Sequence, residues 1–517
     1  MIESKQVLIN EYVKALRSNT ASVFVGAGFS CDLVYFDWNK LLEPFRKKLG
    51  LTKRTLIDNP TIAQYYLNAS KTEVTALKQK VSRAFHTDKF QYKHELLAKM
   101  PIRNYWTTNY DPIIENALKF VKKKFEKKNS NSEFAKIETE RQTLVFKVHG
   151  DIDAPDHIVL TQDDYDGYES THPNFYTALE NELALNNMLF IGYSFNDPDI
   201  KNILKKLKAK NNSIGPNHFF IVKRATKRAA QKEQLLFLQD IEKYGILSLI
   251  IDEYNEIEEI LEAIYKQYMS YKILISGSAH DYSEYGTEEE SKELIYDLGY
   301  NLVQQDQGYG LKVINGNGFG VGPSLYEGIA EATALNDLDM ADYLKLYPFP
   351  KKYYSLYEKP DFMEKIFNPY REKMIEQCGA VFFLFGNKKD KNGKIINADG
   401  VKKEFDIAVS KKKYVFPVGA TGYKAKELAD LVLSDFEKYN GNMPNIKKKL
   451  EKLNTPKLPK EEIIEIILSI IDILSFRPEL KKQQTTEKSV VFLCCFKRVM
   501  LDVNCHLRYC LFTKNKE

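Results

Sequence analysis

The sequence predicts an α/β protein built from two doubly wound, mostly parallel sheets. Three observations point there. Short apolar runs recur between stretches of helical periodicity, four of those in the first half end in a glycine or polar cluster, and a fresh strand with its own small-residue turn begins at Tyr271. At 517 residues the chain has length for two or more cores.

In chain order, the first-half strands are Ser22 to Val25, Tyr105 to Thr107, Leu144 to Val148, Met188 to Gly192, His218 to Val222 and Ile246 to Ile251. Between the first two, Trp38 to Met100 reads as largely helical. The lysine run Lys122 to Lys128 leads into Asn129-Ser130-Asn131-Ser132 and reads as a solvated helix end followed by a mobile loop. A helix from Glu256 to Met269 closes the first domain, residues 1–269.

The second domain, residues 270–476, opens with Tyr271-Lys272-Ile273-Leu274-Ile275-Ser276-Gly277-Ser278 and continues through strands at Lys312 to Ile314, Ala380 to Phe385 and Tyr414 to Val418. A helix is expected at Leu325 to Ala332, and a polar loop from Gly386 to Gly400. Glu461 to Phe476 is the most apolar long stretch, but Glu465 and Asp472 interrupt it, so it reads as an amphipathic helix rather than a membrane span. Residues 477–517 form a tail of unknown order that holds Cys494, Cys495, Cys505, Cys510 and His506 in a spacing that fits no zinc module.

Composition narrows the function classes. Hydrophobic residues make up 44% and charged residues 28%, ordinary for a soluble globular protein. The net charge of +5 comes from 75 basic and 70 acidic residues, too balanced to call for nucleic acid. No signal-peptide pattern opens the chain, and Cys31 and Cys378, the cysteines of its body, suit a reducing cytoplasm.

Gly26-Ala27-Gly28-Phe29-Ser30 follows the first strand directly and reads as a tight turn able to approach a pyrophosphate. Three later strands end in Thr107-Thr108-Asn109-Tyr110-Asp111, Lys147-Val148-His149-Gly150-Asp151 and Gly192-Tyr193-Ser194-Phe195-Asn196-Asp197, which a parallel sheet brings to one rim. This set in this order resembles the sirtuin fold, a Rossmann-type sheet with a helical lobe. The resemblance implies Ala27, Gly28, Phe29, Ser30, Ser194 and Asn196 as NAD-binding residues, with Asn109 and His149 catalytic. Asp111 reads as a cap for the helix beginning at Pro112. Between Gly150 and Leu189, where protein deacylases carry zinc-binding cysteine pairs, no cysteine occurs, so no metal is expected. The first half is thereby closer to the sirtuin-type NAD hydrolases of bacterial antiviral defence.

In the second half, Asn315-Gly316-Asn317-Gly318-Phe319-Gly320-Val321-Gly322-Pro323-Ser324 joins a strand to a helix start, a pattern suited to a phosphate or ribose phosphate. Together with Ser276-Gly277-Ser278 it resembles the SLOG family of Rossmann-like α/β domains. The Pro-Gly-Gly-x-Gly-Thr segment of that family's enzymes is missing, so the resemblance implies binding rather than catalysis. Gly316, Asn317, Gly318, Gly320, Val321 and Gly322, with Ser276, Gly277 and Ser278, would hold the ligand; Arg371 and Lys388 would pair its phosphates, and Glu404 its ribose.

A sirtuin-type domain followed by a SLOG domain is the layout of the effector family of the Thoeris defence system. That resemblance implies NAD as substrate and a cyclic ADP-ribose isomer, made by a partner TIR-domain protein, as activator of the second domain. It implies NAD depletion as the outcome, and a cytoplasmic homo-oligomer, a tetramer or higher assembly, with no membrane or nucleic-acid partner. Two other readings stay open from the residues alone: a non-enzymatic NAD- and nucleotide-sensing scaffold, and a sirtuin-like deacylase or ADP-ribosyltransferase.

Overall fold

The computed structural model describes residues 2, 4–33, 38–52, 57–70, 73–135, 142–195, 198–210, 215–306, 310–349 and 363–475. Asn196 and the tail cysteines with His506 lie outside these residues. The chain divides into two compact units, Met1–Tyr268 and Met269–Glu517.

The first unit holds seven strands: β1 (Ala21–Val25), β2 (Asn104–Thr107), β3 (Phe125–Lys128), β4 (Thr143–Lys147), β5 (Asn187–Ile191), β6 (His218–Lys223) and β7 (Ile246–Ile251). They form one sheet in the order β3-β4-β2-β1-β5-β6-β7, with every pairing parallel. The chain leaves β1 toward β2 on one side and later returns to place β5 on the other. The carboxyl end of β1 is therefore the topological switch point, where open parallel sheets form a crevice. Buried on both faces, the central strands β1 and β5 read as largely apolar runs; Phe24, Trp106, Phe146 and Phe190 fill one side of the core, Trp106 stacking on Phe146 at 3.9 Å.

The lobe comprises helices Trp38–Lys48, Asn59–Ser70, Val74–Ala84 and Tyr92–Lys99. Its core joins Phe45, Ile62, Leu77 and Val81 to Tyr110, Ile113, Ile158 and Leu160. It thus packs on the segments that follow β2 and β4.

The lysine run is a correction. Phe125–Lys128 is edge strand β3, not a solvated helix end, and Asn131–Ala135 is a 3-10 helix in place of the expected loop. Lys123 donates to the carbonyls of Met100 and Ile102, and burial lowers its pKa to about 7. Lys128 is fully buried, donating to Glu126 and to the Glu133 carbonyl. A lysine run reads as solvated only when its ammonium groups lack nearby acceptors, and here the fold supplies them.

The second unit has β8 (Lys272–Ser278), β9 (Lys312–Asn315), β10 (Leu344–Leu346), β11 (Ala380–Phe385), β12 (Asn387–Lys389), β13 (Ile395–Asn397) and β14 (Tyr414–Pro417). Five of them make a parallel sheet in the order β10-β9-β8-β11-β14. The polar loop expected after Phe385 is instead an antiparallel hairpin, β12 with β13. Edge strand β10 was not expected either, being three residues long with only Leu344 buried. Helix Gly322–Leu335 extends beyond the predicted span at both ends, and helix Lys460–Leu474 buries Ile463, Ile467, Ile470 and Ile471 on one face. Among the described residues no helix is long and apolar enough to cross a membrane, and no cluster of three or more His, Cys, Asp or Glu could hold a metal.

Candidate active site

The glycines after β1 answer to backbone packing. A Cβ on Gly26 would lie 2.4 Å from Gly192 O, and one on Gly192, whose φ is +64°, would lie 2.2 Å from Phe29 N. The Gly28 N–H donates to Gly192 O at 2.9 Å. The turns after β1 and β5 are thus pressed together backbone to backbone, which only glycine permits. Ala27–Phe29 forms a single 3-10 turn, and the described residues directly behind it, Ser30 to Leu33, are turn rather than α-helix.

A cavity of about 930 Å³ opens at these strand ends, bordered by Ala27, Gly28, Ser30, Asn109, His149 and Ser194. The Ser30 hydroxyl is buried and has no hydrogen-bond partner among the described residues. Phe29 is placed differently from the other expected NAD-binding residues: its ring is buried against His94, centroids 4.6 Å apart, so it supports the turn from beneath.

Asn109 is fixed by one hydroxyl. Thr107 Oγ1 donates to Val25 O at 2.7 Å and accepts the Asn109 N–H at 2.9 Å, tying the end of β2 to the end of β1. Asp111 Oδ1 accepts the Ile113 N–H at 3.2 Å, but the helix begins at Ile113 with Pro112 as its N-cap and no side-chain cap bond, so Asp111 shapes the turn before the helix rather than capping it; burial raises its pKa, and it also borders the cavity. His149 follows β4, with Tyr165 Oη 3.5 Å from its Nδ1 and the Tyr165 ring edge-on to the imidazole. The segment returns through the Val159 N–H, which donates to His149 O at 2.9 Å.

Several cavity residues escaped sequence reasoning: Asp58 and Asn59 from the lobe, and Gln162 and Tyr165 from the short helix Gln162–Asp166. That helix is pinned to the lobe by Lys78, whose buried ammonium meets Asp164 at 2.8 Å. A lysine and an aspartate so far apart in sequence give no local signal. On its other side the cavity continues past β5 to Val222, Lys223, Gln234 and Tyr254.

In the second unit the glycine-rich segment also locks backbone to backbone. A Cβ on Gly318 would lie 2.0 Å from Gly277 O, one on Gly320 2.2 Å from Ala279 O, and one on Gly277 2.5 Å from Leu384 O. A Cβ on Gly322 would lie 2.6 Å from Asn317 Cα. The density of glycine therefore has a structural cause that the sequence did not disclose. Val321 is buried in the core, and Ser278 Oγ donates to Asn387 O.

Ser276, Arg371 and Glu404 come together there. Ser276 Oγ donates to Glu404 Oε2 at 2.7 Å, and Arg371 Nε lies 3.5 Å from Glu404 Oε1. Burial raises the Glu404 pKa, opposed by Arg371 and by the Ser276 hydrogen bond. The guanidinium lies over Phe349 at 5.0 Å, Gly316 is within 3.4 Å of that ring for an added Cβ, and Arg371 Nη1 is buried without a hydrogen-bond partner among the described residues. Lys388 stands apart on the hairpin, 40% exposed and paired with Asp399 at 2.6 Å.

Four curated relatives match nearly end to end. The NAD(+) hydrolase ThsA of Bacillus cereus is 33% identical over 91% of this chain and 98% of its own length. The chain belongs to the ThsA family of NAD(+) hydrolases. The ThsA of Cytobacillus dafuensis is 34% identical over 92% of this chain and 97% of its own, and that of Acinetobacter baumannii 31% identical over 92% and 99%. Residues 103–246 match the SIR2-like domain, a span that includes Asn109, His149 and Ser194; residues 256–474 match the Sir2- and TIR-associating SLOG family, a span that includes the glycine-rich segment, Arg371 and Glu404.

Proposed function

We propose that the first unit hydrolyses NAD+ to nicotinamide and ADP-ribose, and that a cyclic ADP-ribose isomer bound to the second unit switches this activity on. The observation that carries the reading is the meeting of Asn109 and His149, from the ends of neighbouring strands β2 and β4, on one cavity with Ala27, Gly28, Ser30 and Ser194. Its volume of about 930 Å³ suits a dinucleotide, at the upper end of small-molecule sites, which span roughly 300–1,000 Å³. Membership of a family of NAD(+) hydrolases agrees with it.

In the reaction, water oxygen bonds to C1′ of the nicotinamide ribose as the C1′–N bond breaks. The bonding pair returns to the ring nitrogen, so nicotinamide leaves neutral. Because the leaving group is already cationic, catalysis rests on positioning and on stabilising the oxocarbenium-like sugar. Asn109 orients the ribose and the water; His149 accepts the water proton and releases it to solvent. Ser30 and the turn at Ala27 and Gly28 hold the pyrophosphate side.

In the second unit, Arg371 pairs a phosphate of the isomer and Glu404 accepts from its ribose, with Ser276 and the glycine-rich segment around them. A TIR-domain protein supplies the isomer during phage infection, and the resulting NAD depletion halts growth of the infected cell. The effector acts in the cytoplasm as a homo-oligomer, and ligand favours the assembly in which the cavity admits substrate. The test is a product assay on the activated protein with lysine-acetylated peptide present and absent. Nicotinamide and free ADP-ribose in equal amounts support hydrolysis; ADP-ribose transferred to peptide or acetyl overturns it in favour of a transferase.

A further inference from the structure

We propose that Lys147 is a positioning residue for the Asn109 and His149 pair, its ammonium locking together the two loops that carry them. The inference rests on the hydrolase reading of the first unit. Lys147 is the last residue of β4 and is fully buried, directly after the apolar Leu144, Val145 and Phe146. Its Nζ donates to the Asp111 carbonyl and lies 3.3 Å from Glu115 Oε1 and 3.6 Å from Asp151 Oδ2.

The partners are spaced so that the lock acts on both catalytic side chains. Asp111 stands two residues after Asn109, while Lys147 and Asp151 stand two residues before and after His149. Glu115, on helix Ile113–Phe120, extends the lock to the element that follows the Asn109 loop. Asp151 in turn meets Lys127 of β3 at 3.1 Å, and its Oδ1 accepts the Asp153 N–H at 2.7 Å.

Position and chemistry both favour this role over a simple core contact. A buried ammonium is retained against its desolvation only when acceptors surround it, and these acceptors come from the Asn109 loop, the helix after it and the His149 loop. Burial raises the carboxyl pKa of Glu115, and Lys147 opposes that shift in part. Asn109 and His149 each sit two residues from an anchor of the lock, so the distance between them follows the loops. A misplacement of about 1 Å at reacting groups can cost on the order of a hundredfold in rate.

The experiment compares wild type, Glu115→Gln, Lys147→Arg and Lys147→Met, each checked for folding by thermal melting. The readouts are kcat and KM for NAD+ with the activating isomer, and the 15N resonances of the His149 imidazole. Glu115→Gln keeps size and removes one anchor, so it stays informative if Lys147→Met fails to fold. The expected result is a 10- to 100-fold lower kcat with KM within about threefold for Glu115→Gln, partial recovery of rate in Lys147→Arg relative to Lys147→Met, and displaced His149 resonances. Variants that melt lower yet keep wild-type kcat and wild-type His149 resonances overturn the proposal and leave the hydrolase reading standing. A wild type that releases no nicotinamide overturns the hydrolase reading instead, and the His149 resonances then decide whether Lys147 positions the loops.

Discussion

His149 and Asn109 sit where they do because bonds at the ends of β1, β2 and β4, from the Thr107 hydroxyl, the main chain and the Lys147 ammonium, hold their loops. Thr107 ties the Asn109 loop to β1, and the Val159 N–H closes the turn beyond His149. His149→Ala and Asn109→Ala should each lower activated NAD+ cleavage by at least about a hundredfold, read as nicotinamide release, with little change in melting temperature. Glycine positions respond differently. Gly192→Ala puts a Cβ 2.2 Å from Phe29 N at a φ of +64°, so a loss of about 2–4 kcal/mol in stability is expected from denaturant unfolding. In the second unit, Arg371→Ala removes the cation beside the buried Glu404 carboxylate and should abolish stimulation by the isomer, measured as rate against isomer concentration.

Elements were legible in the sequence wherever burial is complete. The runs that became β1, β2, β4, β5 and β11 are buried almost throughout, so hydropathy alone marks them. What escaped were edges and ornaments. Strand β3 reads Phe-Glu-Lys-Lys, its Lys127 paired with the distant Asp151 and Asp153, and β10, β12 and β13 are three residues each, too short to show a period and largely unburied. The same limit applies to the site. Asn109, His149 and the glycine turn announce themselves by motif, whereas Lys147 looks like one more lysine until Glu115 and Asp151 are seen beside it. One signal was available: a lysine inside the apolar run Leu144 to Val148, two residues from a motif histidine, needs buried partners. The glycines of Gly316 to Gly322 carried the opposite lesson, since close approach to the β8 end accounts for Gly318 and Gly320 without any ligand.

For the whole molecule, the first unit carries a pH sensitivity of defined sign. Burial lowers the pKa of His94 to about 3 and that of His218 to about 4, so both are neutral in the folded protein and take up protons on unfolding. Their contribution to stability is complete above the unfolded value of about 6.5 and is lost as pH falls toward 4, at up to about 2–3 kcal/mol per pH unit for the pair. Thermal unfolding of the first unit followed between pH 7 and 4 should show this decline, and a flat profile would contradict the burial of these two imidazoles. On the proposed reading, ligand bound to the second unit alters the rate at the first. The most direct test incubates the purified protein with NAD+, with and without each of a panel of cyclic ADP-ribose isomers, and follows nicotinamide and ADP-ribose by chromatography. Cleavage that appears with one isomer and vanishes in His149→Ala is the expected result; no nicotinamide under any condition would contradict the account and favour a sensing scaffold.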